Sequence, residues 1–265
     1  MFKPKFRLVL TGILSLSLLA LAGCGSASAP APTPAPAPTE KILKVGSDIT
    51  YAPFEFMDAK QQPTGFDIEL INALGADMGY TKVNIETASF DGLPPALQAG
   101  KYDAVISAMT ITDDRKKTVQ FSDKYFEAVQ YIAMKKGSNF KTLADLKDKK
   151  VGVQLSTTGQ IAVEQKGITP KKFDTTPDAI ADLLNGGVDA VVADGPVVIW
   201  FQQQNPKAEI VSVQADVAQE YYGIAMKLGN TELSTKMNAS LKKLMDNEKY
   251  NEIYKRWFKK DAPKF

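Results

Sequence analysis

Apolar residues recur along the chain in two rhythms. Short runs rich in β-branched residues fall at 42–46, 83–87, 104–107, 129–134, 151–154, 190–193, 210–213 and 223–226, and read as strands. Between them lie stretches with helical spacing. In 66–78, Phe66, Leu70, Ile71 and Leu74 share one face; in 233–245, Leu233, Met237, Leu241, Leu244 and Met245 do so. The segments 94–99, 180–184 and 197–203 also read as helices. Strands alternating with helices predict βαβ units, an α/β fold and mostly parallel sheets.

Two stretches repeat one another. GKYDAVISAMT (100–110) and GGVDAVVADGP (186–196) each pass from a helix end through Gly to D-A-V, then a short apolar strand with a polar end. Ligands of parallel sheets sit at the carboxyl ends of strands. The repeat therefore predicts two equivalent strand ends, one from each half of the chain, facing across a cleft.

The amino terminus follows a different pattern. Lys3, Lys5 and Arg7 precede an apolar stretch over 8–21, and Ala22 and Gly23 come next, the layout of a secretory signal with a stretch short for a membrane span. Residues 26–39 read SASAPAPTPAPAPT. With no large apolar side chain they build no core, and they favour an extended tether of roughly 3.1 Å per residue. Folding is expected to begin near Lys41.

Composition narrows the chemistry. The 265 residues are 44% hydrophobic and 23% charged, within the ordinary range for a globular protein. Formal charge is +2, but without Lys3, Lys5 and Arg7 the 32 bases fall to 29 against 30 acids, a balance of −1. No basic block survives to grip nucleic acid. Histidine is absent and Cys24 is the single cysteine. Ser-His-Asp and Cys-His catalysis, an internal disulfide and a Cys-rich metal site are thereby excluded. Neither a metal site nor a cofactor is expected.

Local strings then become specific. SDITYAPFEF (47–56), GFDIEL (65–70), SFDGLPPALQAGKYDAVISAMTITDDRKKTVQFSDKYF (89–126), KVGVQLSTTGQ (150–160) and YNEIYKRWF (250–258) resemble, in order, the bacterial polar amino acid binding proteins of ATP-driven importers. The resemblance is close to the glutamine, arginine and lysine-arginine-ornithine binders, and the ligand-binding cores of ionotropic glutamate receptors share the architecture. The resemblance implies a two-lobed, type II periplasmic-binding-protein fold. Its lobes would be 41–124 plus 223–265 and 130–217, hinged by crossings near 125–129 and 218–222. Leu21-Ala22-Gly23-Cys24 resembles the lipobox of bacterial lipoproteins. It implies a leader over 1–23, a lipid anchor on Cys24 and a tether over 24–40; an uncleaved anchor helix or a plain buried thiol is the alternative.

A free amino acid presents a carboxylate and an ammonium, and a site must neutralise both before reading the side chain. Arg115 is the candidate for the carboxylate, since a guanidinium meets it with two charge-assisted bonds. Thr112 reads as a helix N-cap, so Arg115 falls in a first turn where a cation opposes the dipole. On spacing alone a solvated arginine in the run DDRKK is an equal reading; the resemblance favours the carboxylate role. Asp194 is the candidate for the ammonium, against a plain turn aspartate before Gly195-Pro196. The resemblance further implies that Thr110 and the Ala108 carbonyl hold the ligand's ends, that the amides and hydroxyls of Thr157 and Thr158 open a helix toward its carboxylate, and that Tyr51 and Phe90 sandwich its stem. Asp48 and Gln154 are the side-chain readers. An anion at Asp48 disfavours acidic ligands; glutamine, arginine, lysine and histidine stay open, with glutamine and arginine first.

The expectation is thus an extracytoplasmic, lipid-anchored, monomeric binder that delivers an amino acid to an importer permease, not an enzyme. A cyclohexadienyl-dehydratase-like enzyme and a ligand-sensing subunit for a receptor are the alternatives.

Overall fold

The computed structural model describes residues 40–264. The expected leader 1–23, Cys24 and the segment 26–39 lie outside the described residues. Strand β1 (Ile42–Ser47) leads into a small antiparallel sheet of β2 (Thr50–Tyr51), β3 (Glu55–Met57) and β4 (Pro63–Thr64). Helix α1 (Phe66–Asp77), β5 (Lys82–Thr87), α2 (Leu93–Gln98), β6 (Ala104–Val105), α3 (Asp113–Lys116) and β7 (Val119–Phe121) follow. After β8 (Phe126–Ala128) come β9 (Gln130–Lys135), β10 (Val151–Gln154), α4 (Thr158–Gln165), β11 (Lys171–Phe173), α5 (Thr176–Asn185), β12 (Ala190–Asp194), α6 (Gly195–Gln204) and β13 (Ile210–Gln214). The chain closes with β14 (Glu220–Tyr222), β15 (Ala225–Lys227), α7 (Thr231–Asp246) and α8 (Lys249–Phe258).

Two five-stranded sheets form, in the orders β5-β1-β6-β15-β7 and β11-β10-β12-β9-β13. In the first, β1 is parallel to β5 and β6, and β15 runs antiparallel to β6 and β7. In the second, β10 is parallel to β11 and β12, and β9 runs antiparallel to β12 and β13. Four strands of each sheet thus point one way and one is reversed. The reversed strand is in each case the one that enters from the antiparallel ribbon of β8 and β14.

The sequence repeat is structural. Asp103 Oδ2 accepts from the Lys44 amide at 2.8 Å before β6 joins β1. Asp189 Oδ2 accepts from the Lys150 amide at 2.9 Å before β12 joins β10. The same aspartate thus locks the same register in both sheets. Where 104–107 reads as strand, β6 ends at Val105, and Ala108 turns into the left-handed region at φ 44°.

Local signals explain most helix ends. Thr175 caps α5 by accepting from the Asp178 amide, and Gly186 ends it at φ 79°. In α1 the apolar face Phe66, Leu70, Ile71 and Leu74 is fully buried. Helix α8, which contains the string 250–258, brings Tyr254 and Phe258 onto Phe66 and Phe126, with ring centroids 4.9–5.8 Å apart. Phe126 stacks on Tyr222 at 5.4 Å, so this aromatic cluster ties the β8–β14 ribbon to the first sheet's core. The periodicity of Tyr250, Ile253 and Tyr254 was available to mark α8 as a helix.

Candidate functional site

The ends of β6 and β12 open on one narrow cleft. Its walls include Tyr51, Phe90, Ala108, Thr110 and Arg115 from the first sheet's side and Gln154, Thr157, Thr158 and Asp194 from the second's, together with Ser107. Asp48 sits just behind this wall, buried, with its Oδ2 accepting from Gln154 Nε2 at 2.7 Å and its Oδ1 from Thr50 at 2.8 Å. Burial raises the Asp48 carboxyl above the usual range, and the two donors oppose that rise.

Arg115 is held by short-range geometry. Thr112 caps α3 and accepts from the Arg115 amide at 3.1 Å, as the residue types predict. The guanidinium lies over the Phe90 ring, 5.2 Å from its centroid, and spans the cleft. Nη1 donates to the Thr110 carbonyl at 2.8 Å, and Nη2 to the Ser156 carbonyl at 2.9 Å. Burial pushes its pKa down, while Glu220, Asp194 and Tyr51 oppose that shift. A guanidinium carries five N–H donors, so two carbonyls leave capacity for an anion.

Asp194 occupies the N-cap position of α6, yet its side chain makes no cap bond. It accepts instead from Tyr222 Oη at 2.5 Å and from Gln130 Nε2, and the Tyr51 hydroxyl bears on it as well. Burial and then the neighbouring Glu220 charge raise its pKa to about 6, against these hydrogen bonds. On the same side, Thr157 caps α4 by accepting from the Gln160 amide at 3.2 Å, and its hydroxyl donates to the Gln154 carbonyl at 2.7 Å. The Thr158 amide is thereby left in the helix's first turn, beside the cavity.

Sequence reasoning missed Glu220, Gln130, Tyr222 and Ser107. Glu220 Oε2 accepts from Thr110 at 2.8 Å and Thr158 at 2.7 Å, one hydroxyl from each side of the cleft, and from Gln130 at 3.4 Å. It lies on β14, one residue type among several in a crossing strand, and no local pattern marks it. Ser107 had a signal in the repeat, where it stands one residue before Ala108, the counterpart of Asp194.

A two-sheet α/β fold with one guanidinium and several carboxylates converging on one narrow cleft is the arrangement of a solute-binding protein. Residues 43–260 match the profile of the bacterial extracellular solute-binding proteins, family 3, and the chain belongs to that family. A probable histidine-binding protein of Neisseria gonorrhoeae is 37% identical over 228 residues, covering 84% of this chain and 85% of its own. An ancestral arginine-binding protein bound to glutamine superposes with a TM-score of 0.80 at 44% identity, over 84% of this chain and 100% of its own. The arginine-, lysine-, histidine-binding protein of Geobacillus stearothermophilus does so with a TM-score of 0.80 at 42% identity, over 84% and 97%.

Proposed function

We propose that the protein is an extracytoplasmic receptor that captures a polar L-amino acid between its two sheets and hands it to the permease of an ATP-driven importer. The observation that carries this reading is the placement of Arg115 and Asp194 on one small cavity, opposite charges from different sheets suited to the two ends of a zwitterion. The lobes are 41–124 plus 223–265 and 130–217, and the crossings at 125–129 and 218–222 are the hinge. Closure is favoured by a ligand that bonds both lobes only when they meet. Arg115 takes the carboxylate, with help from Thr110 and the amides of Thr157 and Thr158. Asp194 and the Ala108 carbonyl take the ammonium, Tyr51 and Phe90 flank the stem, and Asp48 and Gln154 read the side chain.

Charge orders the ligands. Asp48, Asp194 and Glu220 set three carboxylates against one guanidinium. A zwitterion leaves that surplus unchanged, whereas a cationic side chain reduces it. Arginine is therefore placed ahead of glutamine, with lysine and histidine in the same test. Residues 1–23 export the chain, Cys24 carries a lipid anchor, 24–40 tether the domain to the membrane surface, and the protein acts as a monomer. It binds rather than catalyses, because the acids facing Arg115 are accounted for by ligand recognition.

Calorimetric titration of residues 41–265, unfolded and refolded to strip carried-over ligand, against all twenty amino acids tests this. One-to-one binding strongest for arginine is expected. No heat with any of them would overturn the amino acid assignment.

A further inference from the structure

Behind the cavity wall two carboxyls are buried together. Glu55 on β3 and Asp67 on α1 are each 0% exposed. One oxygen of each is satisfied by uncharged donors. Glu55 Oε1 accepts from Ser107 Oγ at 2.9 Å; Asp67 Oδ2 accepts from the Ala108 amide at 2.8 Å and Tyr125 Oη at 2.7 Å. The remaining oxygens, Glu55 Oε2 and Asp67 Oδ1, receive no hydrogen bond from any N–H or other hydroxyl. Each carboxyl instead adjoins the other. Two adjacent buried carboxylates cannot both stay ionised without a cation, and a single proton between them would satisfy both orphaned oxygens.

The titratable groups that face the pair are Asp48 from the end of β1, Tyr51 from β2, Tyr125 ahead of β8 and Tyr250 from α8. None is cationic, so none favours a second negative charge. Burial accordingly holds Glu55 well above the usual carboxylate range and Asp67 at about 6.

We infer that Glu55 and Asp67 share one proton at neutral pH and serve as positioning residues for the ligand site. Two branches leave the pair. On the Glu55 side, Ser107 Oγ accepts from the Asp48 amide at 3.0 Å. On the Asp67 side, Oδ2 pins the Ala108 amide, whose residue has φ 44° without being glycine. It also holds Tyr125, which leads into the β8 crossing. The proton therefore joins the backbone of the proposed side-chain reader to that of the proposed ammonium acceptor. The role in binding rests on the amino acid reading given above; the shared proton does not.

The test compares the protein with its Glu55→Gln variant, whose amide permanently supplies the hydrogen that the proton supplies. The first measurement needs no ligand. The folded pair keeps a proton that the unfolded chain loses above about pH 5, so raising pH favours unfolding. The unfolding constant of the unaltered protein should climb up to about tenfold per pH unit more steeply than that of Glu55→Gln, until the pair ionises. Equal slopes would overturn the shared proton. The second measurement is arginine affinity against pH. Glu55→Gln should bind within a few-fold at neutral pH and escape an alkaline loss of affinity that the unaltered protein shows; Glu55→Ala should lose tenfold or more. Parallel pH profiles for the unaltered protein and Glu55→Gln would overturn the positioning role, even if Glu55→Ala fails to fold. Absence of amino acid binding in the unaltered protein would defeat the reading of the site, while the unfolding comparison would still judge the proton.

Discussion

Gln154 Nε2 lies 2.7 Å from Asp48 Oδ2, joining the second sheet to the first across 106 residues of sequence. Neither partner is free to turn. Gln154 also donates to the Asp174 carbonyl at 3.1 Å and accepts from Thr176 at 3.0 Å. Asp48 therefore presents a carboxylate of fixed orientation behind the cavity wall, at the end proposed to take the ligand's side chain. Asp48→Asn keeps the shape and removes the charge. Arginine and lysine affinity should fall about tenfold to hundredfold, the worth of a hydrogen bond to a charged group, and glutamine affinity much less. An equal loss for all ligands in calorimetric titration would refute a side-chain role.

Arg115 is proposed to meet the carboxylate common to all amino acids. Arg115→Ala should abolish binding of every ligand, a cost of about 2–5 kcal/mol for truncating one member of a buried charge pair. Arg115→Lys should recover little, because an ammonium lacks the planar fork. Selective loss of one ligand would contradict the assignment.

Asp194 predicts two opposite pH effects. Its folded pKa, about 6, lies above that of an unfolded aspartate. Its contribution to the ligand-free fold is thus fully present below about pH 4 and is lost as pH rises through about 6. The proposed ammonium contact needs the ionised form, so affinity should weaken as pH falls below about 6, by up to about tenfold per unit. Asp194→Asn should bind weakly and lack that pH dependence. Thermal unfolding without ligand and titration with it, both from pH 4 to 8, separate the two effects.

Glu220 holds Asp194 up by repulsion and gathers hydroxyls from both sides of the cleft. Glu220→Gln should shift the acid midpoint of binding to lower pH and narrow the preference for arginine over glutamine. An unmoved midpoint would remove Glu220 from the site's electrostatics.

Gly65 precedes α1 at φ 129°, and a Cβ there would stand 2.0 Å from the Phe54 carbonyl oxygen. Gly65→Ala should destabilise the protein by about 3 kcal/mol or more, since strain and overlap act together. A lowered urea midpoint with unchanged slope is the expected reading.

By itself the sequence determined the fold class, the strands at 151–154 and near 42–47, the amphipathic face of α1, the cap at Thr112 and the equivalence of the two D-A-V strands. These rest on interactions within a few residues or on a regular spacing, both legible in one dimension. The candidate site residues were singled out through short strings as well, and nine of the ten line one cavity while Asp48 lies just behind it. Tertiary structure alone decided the rest. Asp194 has the residue type and position of an N-cap, and only the approach of Gln130 and Tyr222 turns its carboxylate into the cleft. Glu220 is an unmarked acid until β14 brings it between Thr110 and Thr158. Glu55 and Asp67, 12 positions apart, carry no local mark until burial removes their water and leaves each other as partner. Electrostatics of this kind depends on distance and dielectric, which the folded chain sets and the linear order does not.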